Sequence, residues 1–575
     1  MQDLGPEGDA SHQNRGDVDE QHPVWIEEGS LLYAIAGKGG EANSAHHQAI
    51  DRPGEGLRVN CYAEDGTIEG IEWKEPAGKS FLLAVQWHPE RMFTNGLAAT
   101  SLYKNIRERF INEIKQSKKS TMTIINPATG EAIQEVGEDV ESSVGEKYQL
   151  LRRGQPAWAA LSLEERLAVI EKFYTALETE KEALAATLTA ETGKPLQQSY
   201  NELNGARGRI RYFLDHSARW LAEEWVVTEG ATREKITYEP LGVIANISAW
   251  NYPWLVGVNV FIPALIGGNA VLYKPSEFAT LTGLHIQRLL YRSGVAENVF
   301  QAVIGKGIAG EWLLQLPLDG YFFTGSYRTG RHIAEKVASK LVPCQLELGG
   351  KDPLYIMDDV EDIERVAAAA LEGVVYNNGQ SCCAVERIYV HEHIYDLFVE
   401  SYTRQLQKMV VGDPLDPATE IGPLSRPAQL AFLLGQVEDA VGKGAKLLYG
   451  GRKVGDKGFF MEPAVLVNVD HGMKLMKEES FGPVVGIQKV RDDEEAVALM
   501  ADTEYGLTAA VYSKSYERAE RVMRVLDTGT VYWNCCDRVS AGLPWSGRKH
   551  SGLGMTLSYQ GIRGFVQPKA YHIRG

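Results

Sequence analysis

The sequence predicts an α/β protein built around a parallel sheet with helices on both faces. Two observations carry that prediction. The runs 241–249 (LGVIANISA), 269–273 (NAVLY), 298–305 (NVFQAVIG) and 320–323 (GYFF) are short and largely apolar, as strands buried on both sides are. Between them lie the helical patterns 282–294 (TGLHIQRLLYRSG) and 328–341 (RTGRHIAEKVASKL), and strand–helix alternation builds parallel sheets. Such a sheet binds ligands at the carboxyl ends of its strands.

Length and charge bound the rest. The chain has 575 residues, room for several domains at roughly 150 residues each. Lys+Arg is 59 and Asp+Glu is 76, a net charge of −17, so neither nucleic acid nor an anionic membrane is an expected partner. Hydrophobic residues at 44% and charged residues at 23% are ordinary globular usage and exclude wholesale disorder. The six cysteines, Cys61, Cys344, Cys382, Cys383, Cys535 and Cys536, do not make a disulfide scaffold and fit a reducing, cytoplasmic setting. The polar start MQDLGPEGDASHQNRGDVDEQ lacks the apolar core of a signal peptide. The uncharged stretch 255–273 approaches membrane-spanning length, but Asn259, Pro263, Gly267, Gly268 and Asn269 interrupt it. A helix closing at the Gly-Gly, followed by a short buried strand, fits it better.

Going along the chain, the composition shifts at 111–123 (INEIKQSKKSTMT), which reads as a linker between modules at 1–118 and 122–575. Ser162-Leu163-Glu164-Glu165 is a capping box ahead of one long helical run that stops at Gly193. Residues 223–239 alternate like an exposed β-ribbon, and the strand-like 564–575 has no evident partner in its own sheet. Exposed edges need covering, so an oligomer is expected.

The chemistry-bearing residues follow the strands. Asn251, in Trp250-Asn251-Tyr252-Pro253, could donate to an oxyanion or simply head a turn. Lys274 and Glu277, in Lys274-Pro275-Ser276-Glu277, stand where a ribose or phosphate would lie. Gly325 and Ser326 lead into a helix whose N-terminus could meet pyrophosphate. Gly305-Lys306-Gly307 is only a fragment of a G-x-G-x-x-G fingerprint. Glu347, between leucines in Leu346-Glu347-Leu348-Gly349-Gly350-Lys351, is a candidate base with a raised pKa or a solvated strand end. The loop Asn377-Asn378-Gly379-Gln380-Ser381-Cys382-Cys383-Ala384 could present a reactive thiol. It fits two buried structural cysteines as well. No metal site is expected.

Taken in order, WNYP, KPSE, FTGS, LELGGKDP, NNGQSCCA, EESFGPV and SGRKHSGLG resemble the aldehyde dehydrogenase superfamily over about 122–575. The resemblance implies a Rossmann-like NAD-binding domain at 122–222 and 241–346 and an α/β catalytic domain at 347–548. It also implies oligomerisation elements at 223–240 and 549–575 that build a homodimer or homotetramer. The implied activity is NAD(P)-dependent oxidation of an aldehyde through a Cys382 thiohemiacetal and thioester. Cys382 matches the nucleophile and Cys383 does not; Glu347 matches the deacylating base and Asn251 the oxyanion amide. Lys274 and Glu277 match the adenosine-ribose contacts, Ser326 the pyrophosphate helix, and Glu479 with Phe481 the nicotinamide-ribose side. Trp250, Gly307, Gly325 and Leu348 complete the cofactor contacts. A carboxylate at Glu277 would favour NAD over NADP. Where the family shows Phe, Gly and Glu in its C-terminal motif, this chain has Trp545, Ser546 and Met555, which bears on substrate choice and C-terminal packing. Tyr376 stands where the succinate-semialdehyde branch carries Arg.

The first module differs. Asn43-Ser44-Ala45-His46-His47-Gln48 and Val85-Gln86-Trp87-His88-Pro89-Glu90 resemble the C-terminal part of a class I glutamine amidotransferase, nearest the γ-glutamyl-γ-aminobutyrate hydrolases. His88 and Glu90 match two members of that family's Cys-His-Glu triad. No G-x-C-x-G elbow is present, and the module's one cysteine, Cys61, sits in a strand-like run. The expectations are an amide hydrolase or, in preference, a partial fold acting as a contact surface or fusion relic. Such a neighbour points to aldehydes of polyamine or γ-aminobutyrate catabolism.

Overall fold

The computed structural model describes residues 2–3, 19–46, 48–76, 79, 81–92, 96–116 and 120–575. They fall into two units, Met1–Lys119 and Ser120–Gly575. The expected linker at 111–123 is largely regular structure: the helix Ser101–Gln116 runs into it and the strand Thr121–Ile125 takes its end. Among the described residues of that helix, the buried ones, Leu102 and Ile106, lie upstream of the linker segment.

In the first unit, five antiparallel strands stand in the order Gly39–Ser44, Glu20–Ile26, Leu57–Ala63, Ile68–Trp73 and Leu83–Val85. Helices Leu31–Ala36 and Ser101–Gln116 join a small core of Val24, Leu32, Ala42, Cys61, Trp87 and Leu102. Cys61 is fully buried, and that burial pushes its thiol pKa far up.

The second unit carries two large sheets and a ribbon. The first sheet runs Phe300–Ala302, Ala270–Lys274, Val243–Ile247, Gly320–Thr324 and Cys344–Glu347, all parallel, with Gly552–Leu553 antiparallel at its edge. Every apolar run read as a strand lies in it. The stretch 255–273 is the helix Pro253–Ile266 followed by the strand Ala270–Lys274. Among the described residues no helix is long and apolar enough to cross a membrane. The second sheet has seven strands, with Val484–Val490, Val385–His391 and Asp352–Ile356 in its middle.

Three expectations change. The helical run after Ser162 is two helices, Leu163–Thr179 and Lys181–Thr192, broken at Glu180. That carboxylate is held by Arg288 and Arg292 from the helix Thr280–Ser293. The C-terminal strand Val566–Arg574 does have a partner: it pairs antiparallel with Thr232–Pro240 of the same chain, which also pairs with Glu224–Val227. Of 549–575, only that strand lies in the ribbon. Leu557, Ile562 and Phe565 are fully buried in the core beside the first sheet.

Candidate active site

All twelve residues expected to act or to hold a cofactor line one cavity of about 630 Å³: Asn251, Glu347, Cys382, Trp250, Lys274, Glu277, Gly307, Gly325, Ser326, Leu348, Glu479 and Phe481. The cavity opens at the carboxyl edge of the first sheet, where the strands end at Ile247, Lys274, Thr324 and Glu347. A second cavity of about 550 Å³ is lined by Arg209, Tyr252, Glu372, Tyr376, Asp537 and Trp545 among others. Cys382 is the one residue that lines both.

The loop carrying Cys382 is held in an unusual backbone. Asn377 and Asn378 have φ of 56° and 58°, a left-handed conformation that asparagine tolerates better than most side chains. The Asn377 amide donates to Asn251 O at 3.0 Å and to Gln380 O at 2.9 Å. The Asn378 amide donates to Gly193 O at 3.2 Å and to Pro423 O at 2.9 Å. Asn251 O also accepts from Lys194 Nζ at 2.6 Å, and buried Lys194 is paired with Glu202. One network therefore fixes the cysteine loop and the Asn251 backbone together. Cys383 lines only the second cavity. It is buried and donates to Asp537 Oδ1 at 3.0 Å; its contact with Cys382, its burial and the Asp537 charge all hold its pKa well above the ordinary thiol range.

Glu347 ends its strand in a closed setting. Gln345 Nε2 and Thr556 Oγ1 donate to its Oε1 at 3.0 and 3.2 Å. Its Oε2 is buried and has no hydrogen bond among the described residues. Burial pushes the carboxyl pKa up to about 8, so near neutral pH it is mostly protonated and becomes a competent base as the pH rises toward that value.

The rest of the cavity suits a dinucleotide. The helices Gly307–Gln315 and Tyr327–Val337 both begin on it, the second capped by Ser326 Oγ, which accepts from Thr329 N. Helix N-termini attract phosphate oxygens. A Cβ added at Gly307 or Gly310 would meet nothing within 4 Å, so bare backbone faces the cavity where a pyrophosphate would rest. Lys274 donates to Pro275 O at 3.2 Å and lies 4.0 Å from Glu277 Oε2; burial lowers its pKa. Leu348 packs on Gly330, where a Cβ would come within 2.4 Å of it. Burial raises the Glu479 pKa to about 8, and its Oε1 accepts from Gly350 N at 3.3 Å. Phe481, at φ 55°, sets its ring 5.4 Å from Trp250, edge to face, while Gln429 Nε2 donates to its carbonyl at 3.2 Å.

Lys194, Glu202, Gln345 and Thr556 were not singled out in the sequence, and Asn377 only as part of the cysteine loop. Only Gln345 had a local signal, sharing a strand face with Glu347 two residues on. In the first unit His47 and the side chain of Glu90 lie outside the described residues, so the expected His88–Glu90 pairing has no geometry to report.

A parallel sheet with helix N-termini over a long cavity could hold a dinucleotide, and Cys382 lines both that cavity and a second one. Residues 114–571 match the profile of the Aldehyde dehydrogenase family, and residues 2–90 match Peptidase C26. The succinate-semialdehyde dehydrogenase [NADP(+)] of Deinococcus radiodurans is 34% identical over 77% of this chain and 93% of its own length. The peroxisomal aminoaldehyde dehydrogenase 1 of Pisum sativum is 34% identical over 77% of this chain and 91% of its own. Betaine aldehyde dehydrogenase of Staphylococcus aureus, solved with NAD+, superimposes with a TM-score of 0.77 at 32% identity, covering 80% of this chain and 92% of that one. An E. coli NADP-dependent enzyme gives 0.78 at 31%, covering 80% and 96%. The chain belongs to the aldehyde dehydrogenase family and is an NAD(P)-dependent aldehyde dehydrogenase preceded by a class I glutamine amidotransferase-like segment.

Proposed function

We propose that Cys382 is the nucleophile of this enzyme, Asn251 its oxyanion donor and Glu347 its deacylating base. The single observation that carries this is the place of Cys382, on both cavities at once with Asn251 and Glu347 on the larger. The Cys382 thiolate adds to the carbonyl carbon, and the Asn251 amide with the Cys382 backbone N–H stabilises the resulting oxyanion. Bound NAD(P)+ supplies the hydride acceptor. As the thiohemiacetal loses hydride, the carbonyl re-forms as a thioester on Cys382. Glu347 then takes a proton from a water molecule, the water oxygen adds to the thioester carbon, and the acid leaves as the Cys382 thiolate is released. The aldehyde enters by the second cavity. Cys382→Ala should lower turnover by roughly 10⁴-fold or more, whereas Cys383→Ala should keep most of it; the reverse pattern contradicts the assignment.

The favoured substrates are amino-terminated aldehydes of polyamine or γ-aminobutyrate catabolism. Supporting this, the second cavity is lined by the rings of Tyr252, Tyr376 and Trp545, with Glu372 and Asp537 alongside Arg209 and Arg538 in the same lining, and aromatic faces attract an ammonium group. NAD is preferred over NADP, because Glu277 would accept from a ribose 2′-hydroxyl and repel a 2′-phosphate, a like-charge contact costing several kcal/mol. Equal or better kcat/KM with NADP across a panel of aldehydes would overturn that preference. The enzyme works as a homodimer or homotetramer in the cytoplasm. The division into cofactor-binding, catalytic and ribbon parts is the one expected above, with Leu557, Ile562 and Phe565 packed into the core of the second unit. The amide-hydrolase alternative for the first unit is disfavoured by Cys61, its only cysteine, which is wholly buried with a strongly raised pKa; a non-catalytic contact role fits better.

A further inference from the structure

The first unit holds a cluster that the dehydrogenase chemistry does not use. His22 lies in the strand Glu20–Ile26 and Glu69 in Ile68–Trp73, while His46 follows Gly39–Ser44. One ligand atom from each lies within 4.8 Å of the other two. Glu69 Oε1 is 3.7 Å from His22 Nε2 and 3.3 Å from His46 Nε2. Glu69 and His22 are buried; His46 keeps a little exposure, so the cluster is reachable.

The opposite ring nitrogens set the protonation. His22 Nδ1 is 3.3 Å from Pro23 O, and His46 Nδ1 is 3.1 Å from Gln48 O. A carbonyl only accepts, so each Nδ1 carries the proton. In a neutral ring Nε2 is then a bare lone pair, and both lone pairs face a carboxylate oxygen. A metal ion between the three atoms would be met by all three donors, whereas a proton on either Nε2 would make an imidazolium–carboxylate pair instead. A tetrahedral metal bound at about 2.0–2.1 Å holds its ligand atoms about 3.4 Å apart, and the two measured separations bracket that value. An N–H tied to a backbone carbonyl is also how metal-binding imidazoles are oriented.

We infer that His22, His46 and Glu69 form a site for a divalent transition metal, zinc by its donor set of two imidazoles and one carboxylate. Three protein ligands leave a fourth position for water. The ion would tie together three segments distant in sequence, in a unit whose small core supplies little stability of its own.

Titration of the chelator-stripped full-length chain with Zn²⁺, and with Co²⁺ as a spectroscopic probe, tests this. The expected result is one Zn²⁺ per chain, a four-coordinate Co²⁺ spectrum without thiolate charge transfer, and a zinc-dependent rise in the melting temperature of the first unit. Glu69→Gln and His46→Gln should each weaken Zn²⁺ binding by at least the roughly 100-fold typical of losing an outer-shell partner, with an unchanged far-UV circular dichroism spectrum as the folding control and aldehyde oxidation unaffected. No zinc binding, a thiolate-type Co²⁺ spectrum, or wild-type affinity in both variants would overturn the site. Should a variant fail to fold, the wild-type Co²⁺ spectrum and zinc-dependent melting decide by themselves.

Discussion

At the scale of single residues, Glu347 makes the sharpest claim about rate. Its folded-state pKa of about 8 lies above the ordinary carboxylate value because burial disfavours the charge. Below that pH the group holds its proton and cannot take one from water; above it the carboxylate is free to act. Where deacylation limits turnover, kcat should climb about tenfold per pH unit below pH 8 and level off above it. Glu347→Gln should erase that limb, and a pH profile of kcat that keeps it in the variant would assign the titration to another group. The sequence made Glu347, Cys382 and Asn251 visible because each sits in a motif beside a strand end. It did not reveal the part played by Lys194 or Asn377, which is to meet Asn251 O from far along the chain. No local pattern distinguishes a lysine after a helix-ending glycine from a solvated one.

Among the elements, buried strands were legible and pairings were not. The runs 241–249, 269–273 and 320–323 announced themselves by apolarity, since a strand covered on both faces has no polar side to show. The break at Glu180 depends on Arg288 and Arg292, and the partner of Val566–Arg574 lies more than 300 residues upstream in the chain. Both facts are tertiary. The ribbon also leaves a prediction. Its edge strand Glu224–Val227 exposes Trp225, Val226 and Val227, with Val226 63% exposed. An unpaired apolar edge invites association with another copy. Sedimentation of the wild-type chain should show a dimer or tetramer, and Val226→Glu should shift it toward monomer. A stable, active wild-type monomer would refute the role.

For the whole molecule, the two units stand on different footings. The dehydrogenase unit covers 91% or more of the length of its Deinococcus and pea relatives, and its residues assemble at one sheet edge. The first unit keeps a five-stranded sheet and a core but offers no accessible thiol among its described residues. We therefore propose that oxidation takes place in residues 120–575, with its covalent chemistry on Cys382. The direct test is to mix Glu347→Gln with aldehyde and NAD+, quench during the first turnover, and locate the trapped acyl group by peptide mass spectrometry. The account predicts close to one acyl group per chain, carried on Cys382, accompanied by a matching burst of NADH. An acyl group on Cys383, or a burst with no acyl-enzyme, would contradict it.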